Sequence, residues 1–99
     1  MKIIWKKING FDGYEVSNTG LVRSVDRYIN GNFYKGKLLS MKKKNSTYQV
    51  ILYKKGKKYK RLGYKLVAEM FLGYREGIDG LRKINGDSDN VNNLEVISE

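Results

Sequence analysis

The chain has 99 residues, which is enough for one domain with a modest core and too few for two independent ones. It contains no cysteine, which excludes a disulfide framework and a thiolate metal site. It contains no histidine either, so the commonest general base and the commonest metal ligand are absent. No stretch approaches the roughly 20 apolar residues of a membrane span, and the N-terminus lacks a signal-like apolar run. We expect a soluble, cytoplasmic protein without membrane contact.

The net charge of +10 is concentrated in the middle of the chain. Residues 35–65 contain twelve Lys or Arg and no acid. Residues 1–34 contain five basic and three acidic residues, and residues 66–99 contain three basic and seven acidic residues. A basic segment between near-neutral or acidic ends is the pattern expected of a surface that binds a polyanion. The alternative is a solvated lysine surface that only keeps the protein soluble.

The first two-thirds of the chain has the pattern of short antiparallel strands. Segments rich in β-branched and aromatic residues alternate with turns that contain Asn-Gly, Asp-Gly or Lys-Gly. The strand segments predicted from this pattern are 2–8, 14–17, 21–25, the hairpin 28–34, 38–41, 48–53 and 57–62.

The hairpin formed by 48–53 and 57–62 is the strongest of these signals, with Lys55-Gly56 as its turn. One face of this ribbon is expected to carry six cations around tyrosine rings, namely Lys54, Lys55, Lys57, Lys58, Lys60 and Arg61. A two-stranded ribbon is narrow enough to enter the major groove of DNA. Alternatively, it is an exposed hairpin whose lysines prevent pairing of its edges with other chains.

One helix is predicted over 64–72. Val67, Met70, Phe71 and Tyr74 are spaced as one apolar stripe, which is more typical of a core than of a ligand site. Gly73 is a plausible C-terminal stop. After the helix, 77–93 is predicted to be a loop and 94–97 a last strand.

Two segments resemble one known family. Trp5 and the run 8–24, INGFDGYEVSNTGLVRS, resemble the NUMOD4 motif that opens many phage HNH homing endonucleases. The segments 63–71, 73–74, 84–87 and 93–95 are similar to the HNH part of the same proteins. Within the first motif, Trp5, Gly13, Tyr14, Asn18 and Gly20 are the expected structural residues.

The resemblance implies an α+β fold. An N-terminal antiparallel β module is followed by one helix and a ββα-metal finger, here expected as a truncated, metal-less ββ remnant. The chain is expected to form a single domain over 1–99, with a NUMOD4-like β module in 1–34, a basic hairpin region in 35–62 and a degenerate HNH-like segment in 63–99. The implied chemistry is phosphodiester cleavage, in which a histidine activates water and a bound Mg²⁺ or Mn²⁺ steadies the leaving oxygen.

The chain departs from the family where that chemistry resides. The family's Val-His becomes Gly63-Tyr64, and its ligand-plus-base pair falls on Arg82-Lys83. Arginine repels a cation. Lysine, whose ordinary pKa is about 10.4, would have to lose its proton to act as a base. The 86–93 span looks about two residues shorter than usual, and the chain stops at Glu99, about where the last helix of the finger should begin. We therefore expect no catalytic residue, no metal and no cofactor.

Two features of the HNH-like segment keep other options open. Asn93 lies at the family's central asparagine, which is usually a residue that fixes the loop through backbone hydrogen bonds. A substitute cation site could be imagined from Asp79, Asp87 and Asp89, although such Asx-Gly clusters more often form turns.

Three functions follow from these observations. The first is non-catalytic binding of nucleic acid, mainly duplex DNA, by a phage or mobile-element protein. The second is inhibition of a host protein or capture of a phosphate ligand, and the third is residual metal-dependent nicking. A monomer and a homodimer are both compatible with the sequence. The predicted contact residues are Arg23, Arg27, Lys35, Lys37, Lys42, Lys43, Lys44, Lys54, Lys55, Lys57, Lys58, Lys60, Arg61, Lys65, Arg82 and Lys83, with Tyr48, Tyr53 and Tyr59 as aromatic contacts.

Overall fold

A computed structural model describes residues 2–98 and shows an α+β fold, as expected. Within that range the strands form four antiparallel sheets, ordered β1-β2-β3, β4-β5, β6-β7-β8 and β10-β9. The elements are β1 Trp5–Lys7, β2 Tyr14–Ser17, β3 Val22–Ser24, β4 Arg27–Ile29, β5 Asn32–Tyr34, β6 Lys42–Lys44, β7 Thr47–Lys54, β8 Lys57–Leu62, α1 Gly63–Leu72, β9 Gly80–Lys83, a 3-10 helix Val91–Asn93 and β10 Leu94–Ile97.

The first sheet contributes Val16 and Val22 to the core, where they pair across β2 and β3. The turn between these strands is closed by Ser17, whose Oγ accepts hydrogen bonds from the backbone N–H groups of Thr19 and Leu21. Gly20 takes φ of +97° in this turn, which a residue with a Cβ rarely adopts.

The β6-β7-β8 sheet lies with one side on the core. Val50 and Leu52 of β7 are buried, whereas the alternate residues Ile51 and Tyr53 are exposed. Lys55 and Gly56 both have positive φ, 51° and 77°, as a two-residue hairpin turn of the predicted kind requires.

Helix α1 covers the core side of the sheets with Leu66, Val67 and Ala68. It ends at Gly73, which has φ of 71°, and the next residue, Tyr74, is buried. The predicted stripe is therefore part of the core, although Met70 and Phe71 are only partly covered. The main core residues are Ile8, Phe11, Val16, Val22, Val50, Leu52, Leu66, Val67, Ala68, Tyr74 and Leu94.

Two predicted segments differ from the structure. The predicted strand 38–41 is wrong, since only Leu38 pairs there, through a single bridge to Arg23, and the strand is Lys42–Lys44. Three lysines have little intrinsic strand preference, so β6 exists because its backbone pairs with β7. The predicted loop 77–93 contains β9. The residues of β9 also have weak strand preference, and this strand forms because its backbone pairs with β10.

No helix among residues 2–98 has the length and apolar character that a membrane crossing requires.

Candidate functional site

One side of the β6-β7-β8 sheet faces away from the core. Residues that are paired across antiparallel strands project to the same side of a sheet. The register pairs Lys42 with Gln49, Ile51 with Lys60 and Tyr53 with Lys58, and it pairs Lys44 with Thr47. This surface, called the outer face below, consists of Lys42, Lys44, Thr47, Gln49, Ile51, Tyr53, Lys58 and Lys60.

The expectation that all the cations of the hairpin share one face is wrong. Strand side chains alternate in direction, so Lys54, Lys57 and Arg61 lie on the side opposite Lys58 and Lys60. Arg61 stacks near the rings of Phe11 and Tyr59, at 5.1 and 5.3 Å. Lys55 lies in the turn. Arg61 and Tyr59 therefore support packing rather than extending the outer face.

The lysines of the outer face form no ion pair with the residues that the structure describes. The ion pairs found within residues 2–98 engage Lys7, Arg23, Lys43, Lys65, Arg75, Arg82 and Lys83. None of them uses Lys42, Lys44, Lys58 or Lys60. All four of these lysines are exposed. A sheet surface with free ammonium groups around an aliphatic and an aromatic side chain suits a polyanion with flat apolar groups.

A cleft of about 500 Å³ crosses the outer face. It is lined by Lys42, Lys43, Lys44 and Lys60 around Ile51. Lys43 points partly away from it, because Lys43 Nζ lies 3.0 Å from Asp87 Oδ2. The hydrogen bond with Asp87 raises the pKa of Lys43, which keeps this ammonium charged.

Several predicted contact residues are engaged elsewhere. Lys65 pairs with Glu76 at 3.0 Å, and this hydrogen bond holds the pKa of Glu76 below its usual value. Arg82 pairs with Glu95 at 3.1 Å across β9 and β10. The sixteen predicted cations therefore do not form one surface.

Arg23 forms an ordered stack instead of a free contact. Its guanidinium donates to Glu15 Oε1 through Nε at 2.8 Å and lies 4.0 Å from the Trp5 ring centroid. Of the remaining predicted cations, Arg27, Lys35 and Lys37 are exposed in or just beyond the β4-β5 hairpin.

Lys83 is enclosed rather than exposed. Its Nζ lies 2.9 Å from Asp89 Oδ1 and donates to the backbone oxygens of Asp87 at 2.6 Å and Ser46 at 3.1 Å. The rings of Tyr48 and Tyr64 lie 5.7 and 5.3 Å from the ammonium. The side chain is 13% exposed and that of Asp89 is 5% exposed. This arrangement, called the Lys83 cage below, leaves little of the ammonium for an external phosphate.

The Asp89 side of the Lys83 cage is a close ion pair with imperfect hydrogen-bond geometry. Oδ1 of Asp89 has no hydrogen-bond partner of good geometry among the described residues, despite the short distance to Lys83. Burial raises the pKa of the Asp89 carboxyl, and the Lys83 ammonium opposes that rise. Without Lys83, the effect of burial, which raises the pKa of the Asp89 carboxyl, would be unopposed.

Arg82 and Lys83, where the resemblance would place a metal ligand and a base, do not fit a divalent cation. Arg82 and Lys83 present two positive charges there. Asp79, Asp87 and Asp89 are engaged separately, by Arg75, Lys43 and Lys83. Within residues 2–98, no three Asp, Glu, His or Cys side chains lie together in a way that could hold a metal ion. The substitute site imagined from the three aspartates is therefore not assembled.

Two asparagines fix the backbone around these surfaces. Asn18 Oδ1 accepts from Ile4 N at 3.0 Å, and the Asn18 backbone oxygen accepts from Val91 N at 2.8 Å. Asn93 Oδ1 accepts from Asn85 N at 2.8 Å, and its Nδ2 donates to Ser88 O at 2.9 Å. Asn93 thus makes loop-fixing bonds of the kind that the resemblance implies, and Asn18 connects the first sheet to the 3-10 helix.

The remaining motif residues also have structural contacts. Gly13 has φ of +88° and its backbone oxygen accepts from Val25 N at 2.9 Å. Tyr14 Oη accepts from Tyr53 N at 3.1 Å, which connects the first sheet to β7. The expected stop at Glu99 lies outside the described residues.

We expect Gly63→Ala to destabilise the protein by about 1–3 kcal/mol, because this position is overpacked. A Cβ at Gly63 would collide with Asp89 Oδ2 and approach Met41 Cε to 3.0 Å. Helix preference alone gives the opposite sign, since alanine is favoured over glycine in helices. Urea unfolding of both chains measures the difference.

The matched control for Gly63→Ala is Gly80→Ala, whose added Cβ would meet Ile97 Cβ at an ordinary 3.4 Å. An unchanged or higher midpoint for Gly63→Ala would show that Asp89 can move away without cost.

The fold and its sites define a small α+β protein with a basic, open three-stranded sheet and a separate two-stranded β9-β10 sheet. The NUMOD4 motif matches residues 4–54, which is just over half of the chain. The chain therefore belongs to the family of NUMOD4-containing, HNH endonuclease-like proteins, as the residues of the two motifs indicated.

A solved structure confirms this relationship. It is described as "DNA binding and cleavage by the HNH homing endonuclease I-HmuI", and it is 32% identical with a TM-score of 0.73. The match covers 96% of this chain and 52% of that chain, so the present chain spans about half of that protein's length. No curated protein matches the chain.

Proposed function

We propose that the outer face binds duplex DNA and that the chain does not cut it. The observation that carries this proposal is the set of four exposed, unpaired lysines on one sheet surface. Exposed lysines neutralise phosphates and release counterions, which is the main source of affinity in sequence-independent binding. Tyr53 and Ile51 add apolar contacts between them.

Relationship to a DNA-binding protein supports the same partner. The homologous chain is described as binding and cleaving DNA, and 96% of the present chain matches it. A surface of this kind can be retained when catalysis is lost, because phosphate contacts do not depend on a metal.

The proposal of no cutting rests on the residues at the catalytic position. Arg82 is paired with Glu95, and Lys83 is held by Asp89 and two backbone oxygens. The ammonium is directed at these three oxygens and its side chain is only 13% exposed, so it does not face an incoming substrate. The chain also has no histidine to take that role.

A plasmid mobility shift with and without Mg²⁺ or Mn²⁺ tests both halves of the proposal. We expect supercoiled plasmid to be retarded at low salt, to be released as salt rises, and to stay supercoiled in either metal. Nicked circles that form with metal, and do not form when EDTA is present from the start, would contradict the proposal of no cutting. Absence of retardation at low salt would contradict the proposal of DNA binding.

A second candidate uses the same surface for a different partner. The cleft of about 500 Å³ among four lysines could hold a phosphate ligand or an acidic segment of a host protein. A phage or mobile-element protein could act as an inhibitor in this way. Retention of such a partner after complete nuclease digestion would favour this candidate over DNA.

A further inference from the structure

The β4-β5 hairpin, called the arm below, pairs with no other strand among the described residues. All six of its strand residues are exposed, including Tyr28 at 75% and Phe33 at 52%. Its turn is Asn30-Gly31, with φ of 52° and 81°. An isolated two-stranded hairpin is only marginally stable in water. Large aromatic rings that are exposed on such a hairpin often mark an interaction surface.

The two faces of the arm differ in chemistry. The register pairs Tyr28 with Phe33, which places both rings on one face. Their centroids are 5.2 Å apart and their planes are tilted by 56°. The other face pairs Arg27 with Tyr34, whose ring lies 5.8 Å from the guanidinium. One face of the arm therefore presents the rings of Tyr28 and Phe33, and the other presents the guanidinium of Arg27.

The arm is fixed at its root. Gly36 N donates to Asp26 Oδ1 at 2.6 Å, and Lys37 N donates to Ser24 Oγ at 3.1 Å. Gly36 lies so close to the backbone of Ser24 and Val25 that it has no room for a Cβ. These contacts fix the arm to the end of the first sheet, while the face that carries Tyr28 and Phe33 stays exposed.

The arm adjoins the outer face. Arg27 and Ile29 of the arm line a small hollow of about 190 Å³ together with Tyr53 and Lys55 of the β7-β8 hairpin. Arg27 and Ile29 lie on the arm face opposite Tyr28 and Phe33, so a duplex on the outer face would meet the cation-bearing face first and would reach the two rings only by continuing past the arm. The arm is flanked by the exposed cations Arg27, Lys35 and Lys37, which favours a polyanion over an apolar protein surface or a second copy of this +10 chain.

We propose that the arm is a wedge that inserts Tyr28 and Phe33 into the base stack of the duplex held on the outer face. Apolar side chains that enter a groove unstack a base step and unwind or kink the helix. Aromatic rings gain stacking with any base, so this contact does not require a particular sequence. This inference rests on the proposed DNA binding and adds a deformation of the DNA to it.

Relaxation of a closed-circular plasmid by topoisomerase I in the presence of the protein tests the wedge. Unwinding by inserted rings is trapped as a change in linking number after the protein is removed. We expect the natural chain to shift the linking number, and Tyr28→Ala/Phe33→Ala to lose that shift. The variant should bind at least about fivefold more weakly while its salt slope stays unchanged.

The matched control is Ile78→Ala/Ile84→Ala, which removes two exposed apolar side chains outside the arm and the outer face. It should shift the linking number as the natural chain does. Tyr28 and Phe33 are each more than half exposed, so thermal melting should show both variants to be folded.

Three results would overturn the inference. The first is retardation of DNA without any change in linking number, which would leave the proposed DNA binding intact. The second is a full shift by the arm variant. The third is a dimer of the natural chain that the arm variant alone dissolves, as measured by sedimentation, since the rings would then cover each other between two copies. Absence of all DNA retardation would instead contradict the proposed function itself.

Discussion

Replacing Lys42, Lys44, Lys58 and Lys60 by alanine should lower the dependence of DNA affinity on salt by about 3 to 4 units in log–log slope. Each phosphate that a lysine neutralises contributes roughly 0.9 to this slope on duplex DNA. These four lysines are exposed and belong to none of the ion pairs of the described residues, so their charges are available to phosphate. Fluorescence anisotropy on a short mixed-sequence duplex, repeated over a salt series, measures the slope.

The matched control changes the net charge by the same amount with cations that carboxylates already hold. It replaces Lys7, Lys65, Arg75 and Arg82 by alanine, each of which forms an ion pair with a carboxylate of the chain. Its slope should change little, because these charges contribute only as part of the overall field. Equal losses for the two variants would show that net charge, and not the outer face, determines binding.

Replacing Lys83 by methionine should destabilise the protein by about 3 kcal/mol at pH 7, a large part of the stability of a small domain. The substitution leaves the Asp89 carboxylate buried without the ammonium that compensates it. Methionine has a similar length, so lost charge rather than lost volume dominates the change. Urea unfolding gives the free energy.

The pH dependence of the stability of Lys83→Met distinguishes lost charge from lost packing. Burial already raises the pKa of Asp89 above its ordinary 3.8, and loss of Lys83 removes the influence that opposes the rise. A carboxyl with a raised folded pKa contributes stability that is fully present below the unfolded pKa and is lost as pH rises through the folded pKa. The deficit of Lys83→Met relative to the natural chain should therefore be small in acid and grow as pH rises.

The double variant Lys83→Met/Asp89→Asn is the control for charge. It should recover much of the loss at pH 7, because replacing both members of a buried pair often costs little. A deficit that is independent of pH and persists in the double variant would show that Lys83 acts through packing instead.

Much of the fold could be predicted from local signals. Asn30-Gly31 and Lys55-Gly56 indicated their hairpins, because these dipeptides accept the positive φ of tight turns. The apolar spacing around Val67 indicated α1. β6 and β9 could not be found in this way, since their residues have weak strand preference and depend on pairing with β7 and β10.

The candidate site was only partly predictable. The twofold alternation of strands could have separated Lys58 and Lys60 from Lys57 and Arg61, given the register. The enclosure of Lys83 could not, because Ser46 and Tyr64, which complete it, come from distant parts of the chain. The arm gave a hairpin signal, but the exposure of Tyr28 and Phe33 depends on the absence of a covering element in the fold.

The most direct test of the outer face as the DNA-binding surface is a map of backbone amide shifts by ¹⁵N NMR. A short mixed-sequence duplex is added at low salt, and each resonance of the described residues is followed. We predict that the largest changes in chemical shift fall on the outer-face residues of β6, β7 and β8 and on the adjoining arm. Shifts confined to α1, β9 and β10, with the outer face unchanged, would contradict it.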